Sequence, residues 1–245
     1  MSLIGDPGTN ELGFALLLLG TLLLAIVFAI QTAILSRRLR KHEAHSRQME
    51  ELAFFDSLTR LPNRRLLSDR LQQALHASER NQSSTAVYFV DLDSFKEIND
   101  QFDHTVGDAV LTELARRWTA ELRATDTLAR WGGDEFVVVT EGILSASDIH
   151  SVSRRLESVV RAPLAVMGHE VTVSMSIGVA VGCEGSNDPE DMIRCADVAM
   201  YRAKRSGESG YEIIGKAACI ERIAGLEAEP ALESSPATEY VRVLA

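Results

Sequence analysis

The run Arg130-Trp131-Gly132-Gly133-Asp134-Glu135-Phe136 constrains this chain more than any other stretch. After it comes Phe136-Val137-Val138-Val139-Thr140, the β-branched and aromatic composition of a buried strand, and before it a shorter mixed segment, Asp126 to Ala129. Two strand-like segments joined through a glycine pair predict a hairpin. Glycine reaches the positive φ of tight turns, and without a Cβ it lets a ligand's phosphates approach the backbone. Two acids, Asp134 and Glu135, follow at once. A solvated acidic tip is the plain alternative, because so short a motif also arises by chance.

The surroundings narrow the choice. With 46% apolar and 24% charged residues the 245-residue chain is globular in character and long enough for one full domain with appendages. A net charge of −10 argues against a protein that coats nucleic acid, so an anionic ligand would need local cations or metal. Cys183, Cys195 and Cys219 fit neither a disulfide framework nor C-x-x-C spacing, which suggests a reducing compartment. The six histidines are scattered, which disfavours a zinc site.

Residues 12–35, LGFALLLLGTLLLAIVFAIQTAIL, carry no formal charge. As a helix they would reach about 36 Å, against about 30 Å of hydrocarbon in a bilayer. A transmembrane helix is the expectation. A cleaved signal peptide would carry its basic residues ahead of the apolar run, where this chain has Asp6 and Glu11. Arg37, Arg38, Arg40 and Lys41 follow it, and the positive-inside rule then puts the remainder in the cytoplasm and residues 1–11 outside. No extracellular sensor domain is expected in so short a tip. Residues 36–55 read as a helical linker, either solvated or, from a weak heptad register through Leu39, His42, Ser46, Met49 and Ala53, a parallel coiled coil.

A soluble domain is expected over 56–214. Its predicted elements are a helix from Pro62 to about Arg80, a buried strand Ala86–Val90 ending in Asp91-Leu92-Asp93, and helices Ser94–Phe102 and Gly107–Arg123. After the central hairpin come a helix Ser147–Arg161, a second hairpin of Ala165–Met167 with Glu170–Val181 turned at Gly168-His169, a helix from Pro189 to Ser206 and an edge strand Tyr211–Ile214. That order describes a mixed sheet covered by helices, in the α+β class. From 215 onward Ala, Glu, Pro and Ser suggest a mobile tail.

If the strands ending at Asp91 and beginning near Asp134 lie side by side, their carboxylates meet. Such a pair suits Mg²⁺, which takes oxygen ligands from one or two carboxylates plus substrate phosphates, as in polymerase-like nucleotidyl transfer. The structural alternative is that Asp91 or Asp93 caps the helix beginning near Ser94, a role that suits Asp93 better.

The stretches DSLTRLPNRR, VDLDSFKEINDQFDHTVGD, RATDTLARWGGDEF, VTVSMSIGVAV and ADVAMYRAK resemble, in order and spacing, the GGDEF-domain diguanylate cyclases of bacteria over roughly residues 54–214. The resemblance implies a palm-like central sheet related to nucleotidyl cyclases, and condensation of two GTP into cyclic di-GMP and two pyrophosphates by a homodimer at the inner membrane, the N-terminal tip being periplasmic. It implies Mg²⁺, with Mn²⁺ as a substitute, on Asp91, the Leu92 carbonyl and Asp134. Asp134 would accept the 3′-hydroxyl proton, Glu135 is the second motif acid, and Lys96 would stabilise charge on the phosphates. Gly132 and Gly133 would bring backbone to phosphate. Asn99 and Asp108 resemble the guanine-reading pair, His104 the histidine beside the substrate, and Lys204 the triphosphate lysine. Arg123 and Asp126 match the R-x-x-D site at which product inhibits. Taken singly, Asn99 and Asp108 are equally good helix caps, Lys204 a surface charge, and Arg123 with Asp126 an ordinary helix end.

Three positions depart from the family pattern. Arg60 and Asp103 stand where glycine is common, and Glu208 stands where arginine is common. The last would weaken triphosphate binding unless Arg205 turns inward. A catalytically weak domain that serves as a receptor for GTP or cyclic di-GMP is the alternative function, although Asp91, Asp134 and Glu135 are all retained.

Overall fold

The computed structural model describes scattered positions between 17 and 38, then residues 53–182, 188–206, 211–216, 229–230 and 240–244. The chain divides into two compact units, Met1–Leu52 and Ala53–Ala245. In the first, the described positions are helical, and Leu17, Leu19, Leu24, Phe28 and Leu35 are exposed. Most of the expected membrane span and linker lies outside the described residues. Among the described residues no helix is long and apolar enough to cross a membrane.

The second unit is an α+β domain. Its elements are α1 (Arg64–Asn81), β1 (Ser84–Asp93), α2 (Phe95–Phe102), α3 (His104–Glu121), β2 (Thr127–Gly132), β3 (Glu135–Ile143) and α4 (Ala146–Arg161), then β4 (Leu164–Val166), β5 (His169–Val171), β6 (Ser174–Gly182), α5 (Pro189–Ser206), β7 (Tyr211–Lys216), β8 (Glu229–Pro230) and β9 (Tyr240–Leu244). The main sheet runs β2-β3-β1-β6-β7-β9-β8, antiparallel throughout except for the parallel pair β6–β7, while β4 and β5 form a separate small sheet.

β1 is central and buried on both faces, which is why it reads as one apolar run. Ala86, Tyr88, Val90 and Leu92 pack with α2, α3 and α4, whereas Val87 and Phe89 pack with α1 and α5. Trp118 ties α3 to α4 by donating its indole N–H to the Leu156 carbonyl at 3.0 Å. On the other face α5 lies close enough to β6 that a Cβ on Gly178 would stand 2.0 Å from the Met200 nitrogen and 2.1 Å from the Ala196 oxygen. Only glycine permits that approach, and it sets the height at which Lys204 emerges from α5.

Several expectations need correction. Pro62 is not in the first turn of α1. It forms an isolated bridge with Phe55, and Asn63 caps the helix through Oδ1, which accepts from the Arg65 and Leu66 N–H groups at 3.0 and 3.2 Å. β1 does not stop at Val90 but continues to Asp93, held by pairing with Met175 and Ser174 of β6. Asp93 caps nothing: it accepts from the Ser176 hydroxyl at 2.8 Å, and Ser94, with φ 53°, starts α2 without a side-chain cap. The predicted second hairpin is two structures, because β4 turns into β5 at Met167-Gly168 while β6 belongs to the main sheet. β7 is not an edge strand, since β9 pairs with it. The sheet thereby takes up two short pieces of the segment expected to be a mobile tail.

Candidate active site

The register of β1 against β3 sets Asp91 directly opposite Glu135, with Asp134 one residue earlier at the hairpin turn. The three acids therefore gather at one end of the central strands. Gly132 and Gly133 at the turn are exposed, Gly133 has φ +53°, and a Cβ at either would meet nothing within 4 Å, so the backbone there is open to a ligand. Lys204 reaches over from α5 and donates to Asp91 Oδ1.

The acids of the corner raise one another. Burial, with Asp134 and Asp93 close by, pushes the Asp91 carboxyl above its ordinary value even though the Lys204 ammonium acts against the shift. Burial also raises Glu135, reinforced by Asp91, Asp197 and Asp134. For Lys204 burial acts downward, but Asp91, Asp93 and Asp134 outweigh it and raise the ammonium. A half-buried group of acids that repel one another gains most from positive charge. Among the described residues no three His, Cys, Asp or Glu side chains form a metal cluster. The donor set that the resemblance implies is smaller, the carboxylates of Asp91 and Asp134 with the main-chain oxygen of Leu92, whose side chain is in the core. Oxygen donors of that number and hardness suit a divalent cation that keeps ligand sites for phosphate and water.

The other anticipated residues are distributed around this corner. Lys96 is exposed in the first turn of α2, and no ion pair joins it to the acids among the described residues. Asn99 is half-buried on α2, while His104 and Asp108 are exposed in the first two turns of α3. Neither Asn99 nor Asp108 caps a helix. Asp103 caps α3 instead, accepting from the Thr105 and Val106 N–H groups at 2.6 and 3.1 Å. Its φ is 90° and that of Arg60 is 60°. Both departures from glycine thus sit at left-handed positions where glycine costs least. Asp103 offsets the strain with its cap. Glu208 lies outside the described residues.

Arg123 and Asp126 do come together, in a tight turn at the foot of β2. The Arg123 N–H donates to Asp126 Oδ2 at 2.9 Å, and beside them lies a cavity of about 420 Å³ that also takes in Leu61, Pro62, Arg70 and Leu128. Since β2 separates this turn from Gly132-Gly133, the two sites stand about 20 Å apart along the strand.

One network was not legible beforehand. Arg130 donates from Nε and NH2 to the Gly133 carbonyl at 3.0 and 2.7 Å, from NH1 to Asp56 Oδ1 at 3.0 Å, and from its backbone N–H to the Pro62 carbonyl at 3.0 Å. Arg64 adds its guanidinium 4.1 Å above the Trp131 ring. The first turn of the domain therefore grips the glycine turn from below. Asp56 and Arg130 were visible as parts of two motifs, but nothing local pairs residues 74 apart.

Comparison with known proteins agrees with this geometry. Residues 53–210 match the family model for the diguanylate cyclase GGDEF domain. The diguanylate cyclase TpbB of Pseudomonas aeruginosa is 40% identical over 162 residues, 66% of this chain and 37% of that protein. The bifunctional diguanylate cyclase/cyclic di-GMP phosphodiesterase MucR of the same organism is 38% identical over 212 residues, 83% of this chain and 31% of that protein. The structure of a truncated TpbB from Pseudomonas aeruginosa comprising only the GGDEF domain superposes with a TM-score of 0.60 at 39% identity, covering 63% of this chain and 91% of that one. This chain spans about a third of the length of the curated relatives it matches.

Proposed function

The chain belongs to the GGDEF family of diguanylate cyclase domains, and from that premise we propose that it condenses two GTP into cyclic di-GMP and two pyrophosphates. The observation that carries the reading is the gathering of Asp91, Asp134 and Glu135 under Lys204 at the sheet corner, beside a turn open to phosphate. Asp91, Asp134 and the Leu92 carbonyl would hold Mg²⁺, or Mn²⁺ with the same oxygen donors. When bound, the metal supplies Lewis-acid neutralisation of the triphosphate and of the leaving pyrophosphate. Asp134 takes the 3′-hydroxyl proton, the freed oxygen bonds to the α-phosphorus of the second nucleotide, and the bond from that phosphorus to the pyrophosphate breaks. Lys204 and Lys96 supply mobile cations for the phosphates, Glu135 is the second acid of the corner, Asn99 and Asp108 receive the guanine base, and His104 stands beside the substrate.

Incubating the chain with GTP and Mg²⁺ tests the reading directly. Cyclic di-GMP with pyrophosphate is the expected product, and binding of GTP without turnover would favour the receptor alternative.

The remaining assignments have separate support. The uncharged run 12–35 with its trailing arginines, together with exposed Leu17, Leu19, Leu24 and Phe28, favours a single-pass anchor in the bacterial inner membrane with the domain in the cytoplasm. Recovery in the soluble fraction after lysis would refute it. The cavity at Arg123 and Asp126 fits cyclic di-GMP as an inhibitory ligand, since a guanidinium pairs with phosphate or a guanine edge and a carboxylate accepts from guanine N–H groups.

A further inference from the structure

α2 and α3 fold back on each other through a single residue, Asp103, which ends the first helix by donating its N–H to the Asn99 carbonyl at 3.0 Å and caps the second. The reversal lays Asn99 against Gly107. A Cβ built on Gly107 would stand 2.0 Å from Asn99 Oδ1 and 3.1 Å from Asn99 Cγ, with Phe95 Cζ next at 3.3 Å. A carbon and an oxygen cannot approach to 2.0 Å, so the amide lies where it does only because position 107 has no side chain. The collision is with the end of a side chain rather than with backbone, and such an end swings aside more cheaply than a helix moves. Nothing else fixes it: the Asn99 amide makes no hydrogen bond to any described residue. Asp108 is the next residue along the same helix.

We propose that Gly107 is the positioning residue for purine recognition, holding the Asn99 amide against α3 beside Asp108. The proposal rests on Asn99 and Asp108 being the guanine contacts. Gly107 is buried in the first turn of α3, its N–H donating to the Asp103 carbonyl at 3.2 Å, and glycine is the poorest helix former after proline, so its presence weakens the start of the helix. The gain is at the base. A guanine edge offers fixed donors and acceptors, and an amide turned away from them leaves polar groups unpaired, which is the strongest form of discrimination such a site has. Phe95, at 3.3 Å, is tight but within reach of a small adjustment, so a methyl at 107 would move the amide and leave the helices packed.

A double-mutant cycle on the full chain separates this role from ordinary packing. For wild type, Gly107→Ala, Asn99→Ala and the double variant, KM and kcat for GTP, the Kd of a non-reacting GTP analogue and the thermal midpoint are measured. Gly107→Ala is expected to raise KM and Kd about tenfold, the scale of one hydrogen bond, with kcat changing much less and the midpoint equal or higher. In the Asn99→Ala background the same change should leave Kd unmoved and the midpoint equal or higher, because only the helix propensity and the small adjustment at Phe95 remain to act. Wild-type affinity in Gly107→Ala overturns the proposal. So do losses of affinity that add in the double variant together with a midpoint that falls equally in both backgrounds. Wild-type GTP affinity in Asn99→Ala would instead remove the guanine contact itself, and the proposal with it.

Discussion

On the proposed reading Asp134 carries two duties at the scale of a single residue, because it would share a cation with Asp91 and would receive the 3′-hydroxyl proton. Asp134→Asn keeps the shape and a hydrogen-bonding group but removes the charge needed for both. Synthesis of cyclic di-GMP is expected to fall by at least about a hundredfold, the low end of what general-base catalysis contributes, with an unchanged far-UV spectrum and thermal midpoint. A folded variant with near-normal turnover would refute the assignment. Much of this corner was legible in the sequence, since a β-branched run ending in acids and a glycine pair followed by acids both point outward from strands. The partner of Asp91 was not. The register puts Glu135, not Asp134, directly across from it, and that register is set between β1 and β3, strands far apart in the sequence, whereas the bulge near Trp131 belongs to the pairing of β2 with β3. Asp93 was misread for a similar reason, as a capping residue is drawn to a helix start only when nothing better is near, and Ser176 of β6 offers a hydroxyl.

At the scale of elements, the hairpin owes its shape to the turn at residues 56–64 as much as to its own glycines. Asp56 accepts three hydrogen bonds, from the Thr59 N–H at 2.8 Å, the Thr59 hydroxyl at 2.7 Å and Arg130 at 3.0 Å. Burial acts to raise its carboxyl, but the bonds from Thr59 and Arg130 outweigh burial and hold it below its ordinary value. A depressed carboxylate contributes stability that is complete above the unfolded value of about 3.9 and fades as pH falls through the lower folded value. Asp56→Asn should therefore cost about 1–3 kcal/mol at neutral pH, with a smaller difference from wild type in acid and a lower kcat from a loosened Gly133. A chemical denaturation series between pH 7 and 3 checks this, and a penalty that stays constant across the range would contradict it. The same hairpin's other end holds Arg123 and Asp126. If that turn binds product, cyclic di-GMP slows its own synthesis without simple competition against GTP, and Arg123→Ala abolishes the effect. Equal inhibition of both proteins would leave the pair as surface charges. Helices were the more legible elements here, because α1, α3, α4 and α5 each declare an apolar stripe within one turn's period. Strands that pair across long separations, such as β6 with β1 and β7, declare themselves only through partners.

For the whole molecule the decisive quantity is the encounter between two copies. Among the described residues a domain has one such acidic corner and, on the proposed reading, one set of base-reading groups, yet the proposed product contains two equivalent phosphodiester bonds between two guanosines. Two corners facing each other across a two-fold axis make both bonds by the same chemistry, and no arrangement of one corner does so without releasing and rebinding the linear intermediate. A membrane anchor and a paired linker would confine two domains to a small volume, raising their effective concentration to the millimolar scale of short tethers. The prediction has two arms. Specific activity of the full chain should be nearly independent of bulk concentration as long as its N-terminal segment keeps the copies paired. A variant lacking residues 1–52, a cut at the boundary between the two compact units, should lose specific activity on dilution in proportion to its remaining dimer and regain it when concentrated. Sedimentation measured alongside turnover ties the two curves together. If the shortened protein keeps a flat specific activity well below its own dimer constant, a single domain completes the reaction, and the two-fold arrangement is wrong.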